Sequence, residues 1–326
     1  MTVSNPMAKT TDRTQILADA AADGSGGTPL TTALQDWRDH LAGEVQRRRK
    51  SPATKAIYLA GAERFVAFAQ KAGLPPTVEG IRREHIEAWL ASLRDRKPAT
   101  ADTYRRAVAR WFGWLVEDDL IAESPAANVK AIPMPEAPPP VLGPEQIRAI
   151  LAACAGRDFE ARRDTAIVWL LLCGLRRGEL AGLTMGDVQR RDRRLVVTGK
   201  GNRTRVVPFL SHEVDGALRR YEREREHHHA ARRTDAYLVG WKGALSGDGI
   251  RQAIERRAGQ AGVQGVFAHL FRHSAAHAAL KAGLQESDAM QIFGWRSSAM
   301  VRRYGASAAA ERAREHAQRL DIYGDV

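Results

Sequence analysis

The sequence predicts a mainly α-helical chain with a small antiparallel β-sheet in its second half, organised as two domains. Three observations lead there. Amphipathic apolar stripes at helical spacing recur from Thr31 onward, separated by short polar links. A Pro-rich segment over 131–142 interrupts them. Beyond it, RRLVVTGKGNRTRVVPF sets two Val/Leu-rich arms around a Gly-Lys-Gly-Asn turn, the pattern of a β-hairpin. With 326 residues, 44% of them apolar, the chain can bury two cores of ordinary size.

Each element follows from local signals. Residues 1–28 are polar, small and Gly-rich, the composition of a disordered tail. TTALQDWRDHLAGEV places a Thr ahead of an apolar stripe at Leu34, Trp37 and Leu41. The next helix begins after Ser51 as a cap and stops at Gly73, a residue that tolerates a left-handed ending. REHIEAWLASLRD and TADTYRRAVARWFGWLVEDD supply two more, so 29–130 is expected to be a compact four-helix domain. Residues 131–142 form the linker and 143–326 the second domain. There, GPEQIRAILAACAG and ARRDTAIVWLLLCGL read as core helices ahead of the hairpin. HEVDGALRRYERERE, GDGIRQAIERRAGQAG and the His269 segment read as helices after it. AAAERAREHAQRL closes the chain as an amphipathic helix. The three histidines at 227–229 are expected on a solvated surface. No internal repeat is present.

Charge narrows the partners. The formal net charge is +12. Residues 1–140 contribute +2 of it and residues 141–326 contribute +10. A polyanion is the natural partner of the second half. The two cysteines, Cys154 and Cys173, sit in apolar helical patterns and are expected as buried thiols in a reducing compartment. The N-terminus lacks the apolar core of a signal peptide, and the longest apolar run is too short to span a bilayer. A cytoplasmic protein without membrane partners is expected.

Chemistry concentrates between His269 and Tyr304. Breaking a phosphodiester without a metal needs an in-line nucleophile, cations on the nonbridging oxygens and an acid for the leaving oxygen. Arginine suits the cation role because its planar fork binds two phosphate oxygens and stays charged. Lysine near other cations can serve as the acid. A tyrosine phenoxide leaves readily enough for the covalent step to reverse. The chain offers Arg176 in GLRRGEL, Lys200 in the hairpin turn, His269 and Arg272 in HLFRH, and Trp295 in FGW. Tyr304 follows nine residues after Trp295. Singly, each has a plainer reading: Arg176 paired with Glu179 on one helix, Lys200 solvated, Trp295 in a core and Tyr304 on a surface. His269, His273 and His277 recur at i, i+4 and i+8, a spacing that a metal could use. Arg272 beside them repels a cation, and neither a Cys nor an acidic cluster accompanies them. No metal and no cofactor are therefore expected, and His273 and His277 are read as lining or supporting the site.

The ordered set resembles the tyrosine recombinases, the phage-integrase family, over about residues 30–320. The family pattern is an Arg in a Gly-Leu-Arg-x-x-Glu-Leu segment, a hairpin Lys, a His-x-x-Arg pair, then a His or Trp with a Tyr nine residues on. The resemblance implies two domains forming a clamp around double-stranded DNA. Residues 29–130 would be a helical core-binding, SAM-like domain and 143–326 the catalytic domain. It implies site-specific cleavage and rejoining of DNA through a 3′-phosphotyrosyl intermediate at Tyr304. Arg176 and Arg272 would clamp the scissile phosphate, and Lys200 would protonate the 5′-oxygen. His269 would assist proton transfer, and Trp295 would fill the His/Trp position, where His is commoner. Arg177 is the fallback for Arg176. The resemblance further implies a homotetramer on specific recombination sites, working through a Holliday junction, and admits an accessory DNA-bending protein. The last helix would pack on a neighbouring protomer through Ala310, Ala313, His316, Ala317 and Leu320, although docking on its own chain fits the same stripe. The alternatives are a sequence-specific DNA-binding protein without strand transfer, and a relaxing topoisomerase.

Overall fold

The computed structural model describes residues 27–47, 49–133, 139–199 and 203–320. Residues 1–26 of the expected tail, residues 134–138 of the Pro-rich segment and Lys200 lie outside the described residues. The chain divides into two compact units, one ending at Glu136 and the other beginning at Ala137.

The first unit is four helices: α1 (Leu30–Gln46), α2 (Pro52–Lys71), α3 (Arg83–Ala91) and α4 (Pro98–Glu117). The start of α1 differs from the sequence expectation. Thr31 lies inside the helix, and Pro29 occupies the cap position without a side-chain cap. The reason is tertiary. The Thr28 N–H donates to the Glu79 carboxylate at 2.9 Å, and the Leu30 N–H donates to the Pro76 carbonyl at 2.8 Å. These contacts fix where the chain turns into the helix. Ser51 caps α2 as its sequence suggests: its Oγ accepts the Thr54 N–H at 3.1 Å. Gly73 follows the helix at φ +65°, a left-handed conformation that costs a glycine little. The core is aromatic. Trp37, Trp89, Trp111, Phe65 and Phe112 are buried, and Phe65 meets Trp89 and Phe112 edge to face. Such pairs contribute roughly 0.5–1.5 kcal/mol each beyond the area they bury.

The second unit is built from α5 (Pro144–Ala153), α6 (Phe159–Leu172), the short α7 (Arg177–Ala181), β1 (Val188–Gln189), β2 (Arg194–Gly199) and β3 (Arg203–Pro208). It continues through α8 (Glu213–His227), the two-residue strands β4 (Val239–Gly240) and β5 (Gly243–Ala244), α9 (Gly247–Gln260), α10 (Ala268–Lys281), α11 (Glu286–Phe293) and α12 (Ser298–Leu320). The sheet order is β1-β2-β3, all antiparallel, with Val196 opposite Val206 and Gly199 opposite Arg203. Leu195, Val197 and Val207 turn into the core, while Val206 stays exposed. The sheet packs with α6, the central helix, whose Ile167, Val168, Leu170 and Leu171 are buried. Leu142, from the end of the Pro-rich segment, joins this core, and its N–H donates to Ser274 Oγ at 2.7 Å. A separate small cluster gathers α10, α11 and α12 around Phe293, Trp295 and Tyr304.

Three local features refine the sequence reading. Both cysteines are buried free thiols. His228 is not simply solvated: its ring stacks on Phe159 at 4.0 Å, and burial holds its pKa below the usual value. The closing helix is not separate from the Tyr304 segment, because α12 runs unbroken for 23 residues through Gly305. Gly305 packs close to Leu280, and Lys281 pairs with Glu311 at 2.7 Å and Glu315 at 2.8 Å, holding the helix against α10. Among the described residues, no helix is long and apolar enough to cross a membrane.

One glycine in the first unit is steric rather than conformational. A Cβ on Gly61 of α2 would lie 2.4 Å from Ala107 Cβ on α4. Gly61→Ala should therefore push the two helices apart and destabilise this unit by roughly 1–3 kcal/mol. Denaturant unfolding of the full chain, followed by tryptophan fluorescence, should show an earlier transition; an unchanged curve would mean the helices do not need this contact.

Candidate active site

The second unit assembles most of the sequence-selected residues around the C-terminal end of α11. A helix leaves its last carbonyls without intrahelical partners, and its dipole makes that end attractive to cations. Here three successive carbonyls receive three arginines, with Arg176 Nη2 also 3.5 Å from the Phe293 carbonyl. The Ile292 carbonyl accepts Arg205 Nε at 2.9 Å. The Phe293 carbonyl accepts Arg272 Nη2. The Gly294 carbonyl accepts Arg176 Nη2 at 3.2 Å. Gly294 ends the helix at φ +58°, and a Cβ there would meet Arg205 Cδ at 3.1 Å.

Arg176 is placed by its own local sequence. Gly174, at φ +88°, turns the chain out of α6, and Leu175 anchors the turn in the core. Arg176 then takes the cap position of α7, and its N–H donates to Glu179 Oε2 at 2.8 Å. Its side chain pairs with the same carboxylate at 2.7 Å. The plain helix pairing expected from sequence is thus real, and it is part of something larger. Arg205, from β3, binds Glu179 with both terminal nitrogens, at 2.8 and 2.9 Å. Burial opposes ionisation of Glu179, but Arg205 and Arg176 overcome it and hold its pKa at about 2. Arg177, the fallback, is exposed and lies against Gly247 at the start of α9, away from this carboxylate.

Arg272 is 2% exposed and, among the described residues, has no carboxylate partner. Its guanidinium donates to the Gly174 and Phe293 carbonyls and lies over the Phe293 ring at 5.5 Å. Burial, then repulsion from Arg176 and Arg205, lowers its pKa to about 9, which leaves it charged at neutral pH. Three guanidiniums therefore lie within electrostatic reach of one carboxylate, and two of them are bonded to it. The excess positive charge is arranged with spare N–H donors, which suits an anion with several oxygens.

Tyr304, on the second turn of α12, is 5% exposed. Trp295 stacks on it at 4.9 Å with the rings 2° from parallel, and His273 packs on it at 4.8 Å. Phe293 stacks in turn on Trp295 at 5.1 Å. Neither Trp295 nor Tyr304 is a surface residue. Burial raises the phenol pKa, while Arg272, Arg303 and Arg176 pull it back. His269 is exposed on the same face of α10 as Arg272. Burial of part of its ring, then Arg272, Arg176 and Arg303, lowers its pKa, so it is neutral at pH 7. His269 meets His273 edge to face at 4.4 Å, but His277 turns to Glu311 at 3.5 Å, so the three histidines do not converge. Among the described residues, no cluster of three His, Cys, Asp or Glu could hold a metal ion.

Lys200 itself lies outside the described residues, but its neighbour Gly199 abuts the cluster. A Cβ on Gly199 would stand 3.3 Å from Glu179 Oε1. Arg205, Glu179 as a shared anchor, and Arg303 were not among the residues selected from sequence. Arg205 had a signal: it shares a strand face with Val207, which turns into the core. The acceptors at the end of α11 had none, being backbone.

Comparison with known proteins identifies the family of the chain. The phage integrase family model matches residues 140–311. Tyrosine recombinase XerC of Corynebacterium efficiens is 30% identical over 290 residues, covering 85% of this chain and 90% of that protein. Among solved structures, the XerH site-specific recombinase bound to palindromic difH substrate, in a post-cleavage complex, aligns with a TM-score of 0.71 at 17% identity. That alignment covers 97% of this chain and 90% of that one. A lambda integrase tetramer bound to a Holliday junction aligns with a TM-score of 0.64 at 18% identity, over 90% and 83% of the two chains. At those identities the structures speak to the fold, whereas the family model and the XerC relative speak to descent: the chain belongs to the phage integrase family of tyrosine recombinases.

Proposed function

We propose that the chain is a site-specific recombinase that cleaves and rejoins double-stranded DNA through a 3′-phosphotyrosyl link at Tyr304. The observation that carries this reading is the buried Arg272, charged and without a carboxylate, beside Arg176 and within electrostatic reach of Tyr304. A buried charge is costly unless paired. A scissile phosphate supplies the missing partner, and Arg176 and Arg272 together would clamp its nonbridging oxygens. The Tyr304 oxygen attacks phosphorus, the bond to the 5′-oxygen breaks, and Lys200 protonates that oxygen. His269, neutral and facing the open side, hydrogen-bonds the phosphate and assists proton transfer. The Trp295 indole N–H has the capacity to donate a hydrogen bond, and its ring holds the phenol in place. The phosphotyrosine conserves the bond energy, so rejoining needs no nucleotide cofactor. Residues 29–130 serve as a core-binding domain, 131–142 as a linker and 143–326 as the catalytic domain. Acting on DNA, the protein works in the cytoplasm.

Assembly is a homotetramer on paired sites. In support, Ala313, His316, Ala317 and Leu320 are exposed on the far half of α12, with Leu320 57% exposed. The same unit carries an apolar groove of about 700 Å³ lined by Trp169, Leu172, Leu210, Val214, Ala279 and Leu284. The α12 stripe of a neighbouring protomer would fill it.

Four outcomes are expected. Mixed with labelled nicked duplexes in EDTA, the wild type should give a denaturation-resistant covalent adduct, and Tyr304→Phe none; an adduct with Tyr304→Phe would remove the nucleophile assignment. Arg176→Ala should slow adduct formation by ~10²–10³-fold or more, the scale of losing one charge-stabilising donor. Its DNA affinity should fall only modestly, which separates an enzyme from a pure DNA binder. Glu179→Gln should cost on the order of 2 kcal/mol at neutral pH, after allowance for screening. Because the folded Glu179 pKa is depressed, that contribution is present above the unfolded carboxylate value and is lost as pH falls from about 4.5 towards about 2. Melting curves of the two proteins should therefore converge across that window. Leu320→Glu should leave the monomer's melting unchanged but reduce higher-order complexes on DNA in native gels; full assembly would argue that the stripe is not an interface.

A further inference from the structure

One buried titratable group beside the reacting tyrosine has no part in the scheme above. His273 is 8% exposed, and its Nδ1 is buried with no hydrogen-bond partner among the described residues. An unmet buried nitrogen carries a cost that a native structure seldom keeps without use. The ring packs on Tyr304 at 4.8 Å, tilted by 33°. Trp295, which also contacts Tyr304, carries only an indole N–H donor and cannot accept a proton. His269, one turn earlier, is exposed, whereas His273 is buried with its ring against the Tyr304 ring.

We propose that His273 is the proton acceptor for the Tyr304 hydroxyl during strand cleavage, an inference that rests on Tyr304 being the nucleophile. As the Tyr304 oxygen bonds to phosphorus, its proton passes to the free imidazole nitrogen of His273. The bond from phosphorus to the 5′-oxygen breaks, and that oxygen takes a proton from the acid on the leaving side. Rejoining runs in reverse: the 5′-hydroxyl attacks, and the departing phenolate recovers its proton from His273.

The surroundings suit a base that is switched on by DNA. The charged and titratable groups facing His273 are His269 and Arg272 from α10, and Arg303 and Tyr304 from α12. Burial first, then His269, Arg303 and Arg272, depress its pKa to about 4. The ring is therefore neutral, and able to accept, throughout the physiological range. A phosphate dianion-like transition state between Arg272 and Arg176 offsets those cations, so the imidazole becomes more basic as the phosphate docks.

The test uses single-turnover cleavage of nicked duplexes obtained by covalent capture from a random-sequence pool. Each duplex is made with either the normal 5′-oxygen or a bridging 5′-sulfur leaving group. His273→Asn keeps an acceptor near the Nδ1 position but cannot take up a proton. It is expected to cleave ~10²-fold more slowly with both leaving groups, with a rate that rises steeply toward alkaline pH where the wild type is flat. Free imidazole should partly rescue His273→Ala. Restoration of the variant by the sulfur leaving group would place His273 on the acid side and overturn the proposal. So would a wild-type rate, or a slow rate with an unchanged pH profile. If His273→Asn does not fold, as judged by its melting curve, His273→Gln is read by the same criteria. A Tyr304→Phe adduct would sink the nucleophile assignment whatever His273 does, which keeps the two failures apart.

Discussion

Three backbone carbonyls at the end of α11 hold the site together. Arg205, Arg272 and Arg176 come from β3, α10 and the cap of α7, elements distant in sequence. Each would repel the others in a cluster with one carboxylate. The negative end of the helix dipole and the unpaired Ile292, Phe293 and Gly294 oxygens offset that repulsion. Glu179 completes the balance, tied to Arg205 through both oxygens and to Arg176 through backbone and side chain. The remaining positive charge is what an incoming phosphate meets.

The aromatic side of the site answers a different need. A tyrosine used as a nucleophile must be held without being ionised early. Stacking between Trp295 and His273 fixes the ring, and burial keeps the phenol protonated while Arg272, Arg303 and Arg176 limit how far its pKa climbs. Chemistry and restraint thus use the same neighbours.

Much of this was readable in the sequence where local rules decide. The four helices of the first unit, the hairpin and the His269–Arg272 face follow from periodicity, caps and i, i+3 spacing. The start of α1 was misread because contacts of Thr28 and Leu30 with the 76–79 segment override the Thr31 signal. The closing helix was read from AAAERAREHAQRL alone, whereas α12 starts at Ser298; Leu280 packing and the Lys281 pairs outweigh the ~1 kcal/mol that the interior Gly305 costs. Arg176 was visible as a motif residue, but Arg205 binds a carbonyl 87 positions away in sequence, which no side-chain pattern announces. His273 was read as a supporting residue, since only the packing of α12 on α10 reveals which ring it touches.

Anchoring three arginines to backbone oxygens also changes how the site can vary. Ile292 could exchange its side chain for another of similar bulk and still present the same acceptor, so sequence drift there leaves the charge geometry intact, whereas the Phe293 ring is tied to Arg272 and Trp295. Gly294 is the exception. Its left-handed backbone and its contact with Arg205 make it the point where one substitution disturbs all three guanidiniums together. The site is robust to many small changes and fragile to a single one, at a residue that carries no chemistry of its own.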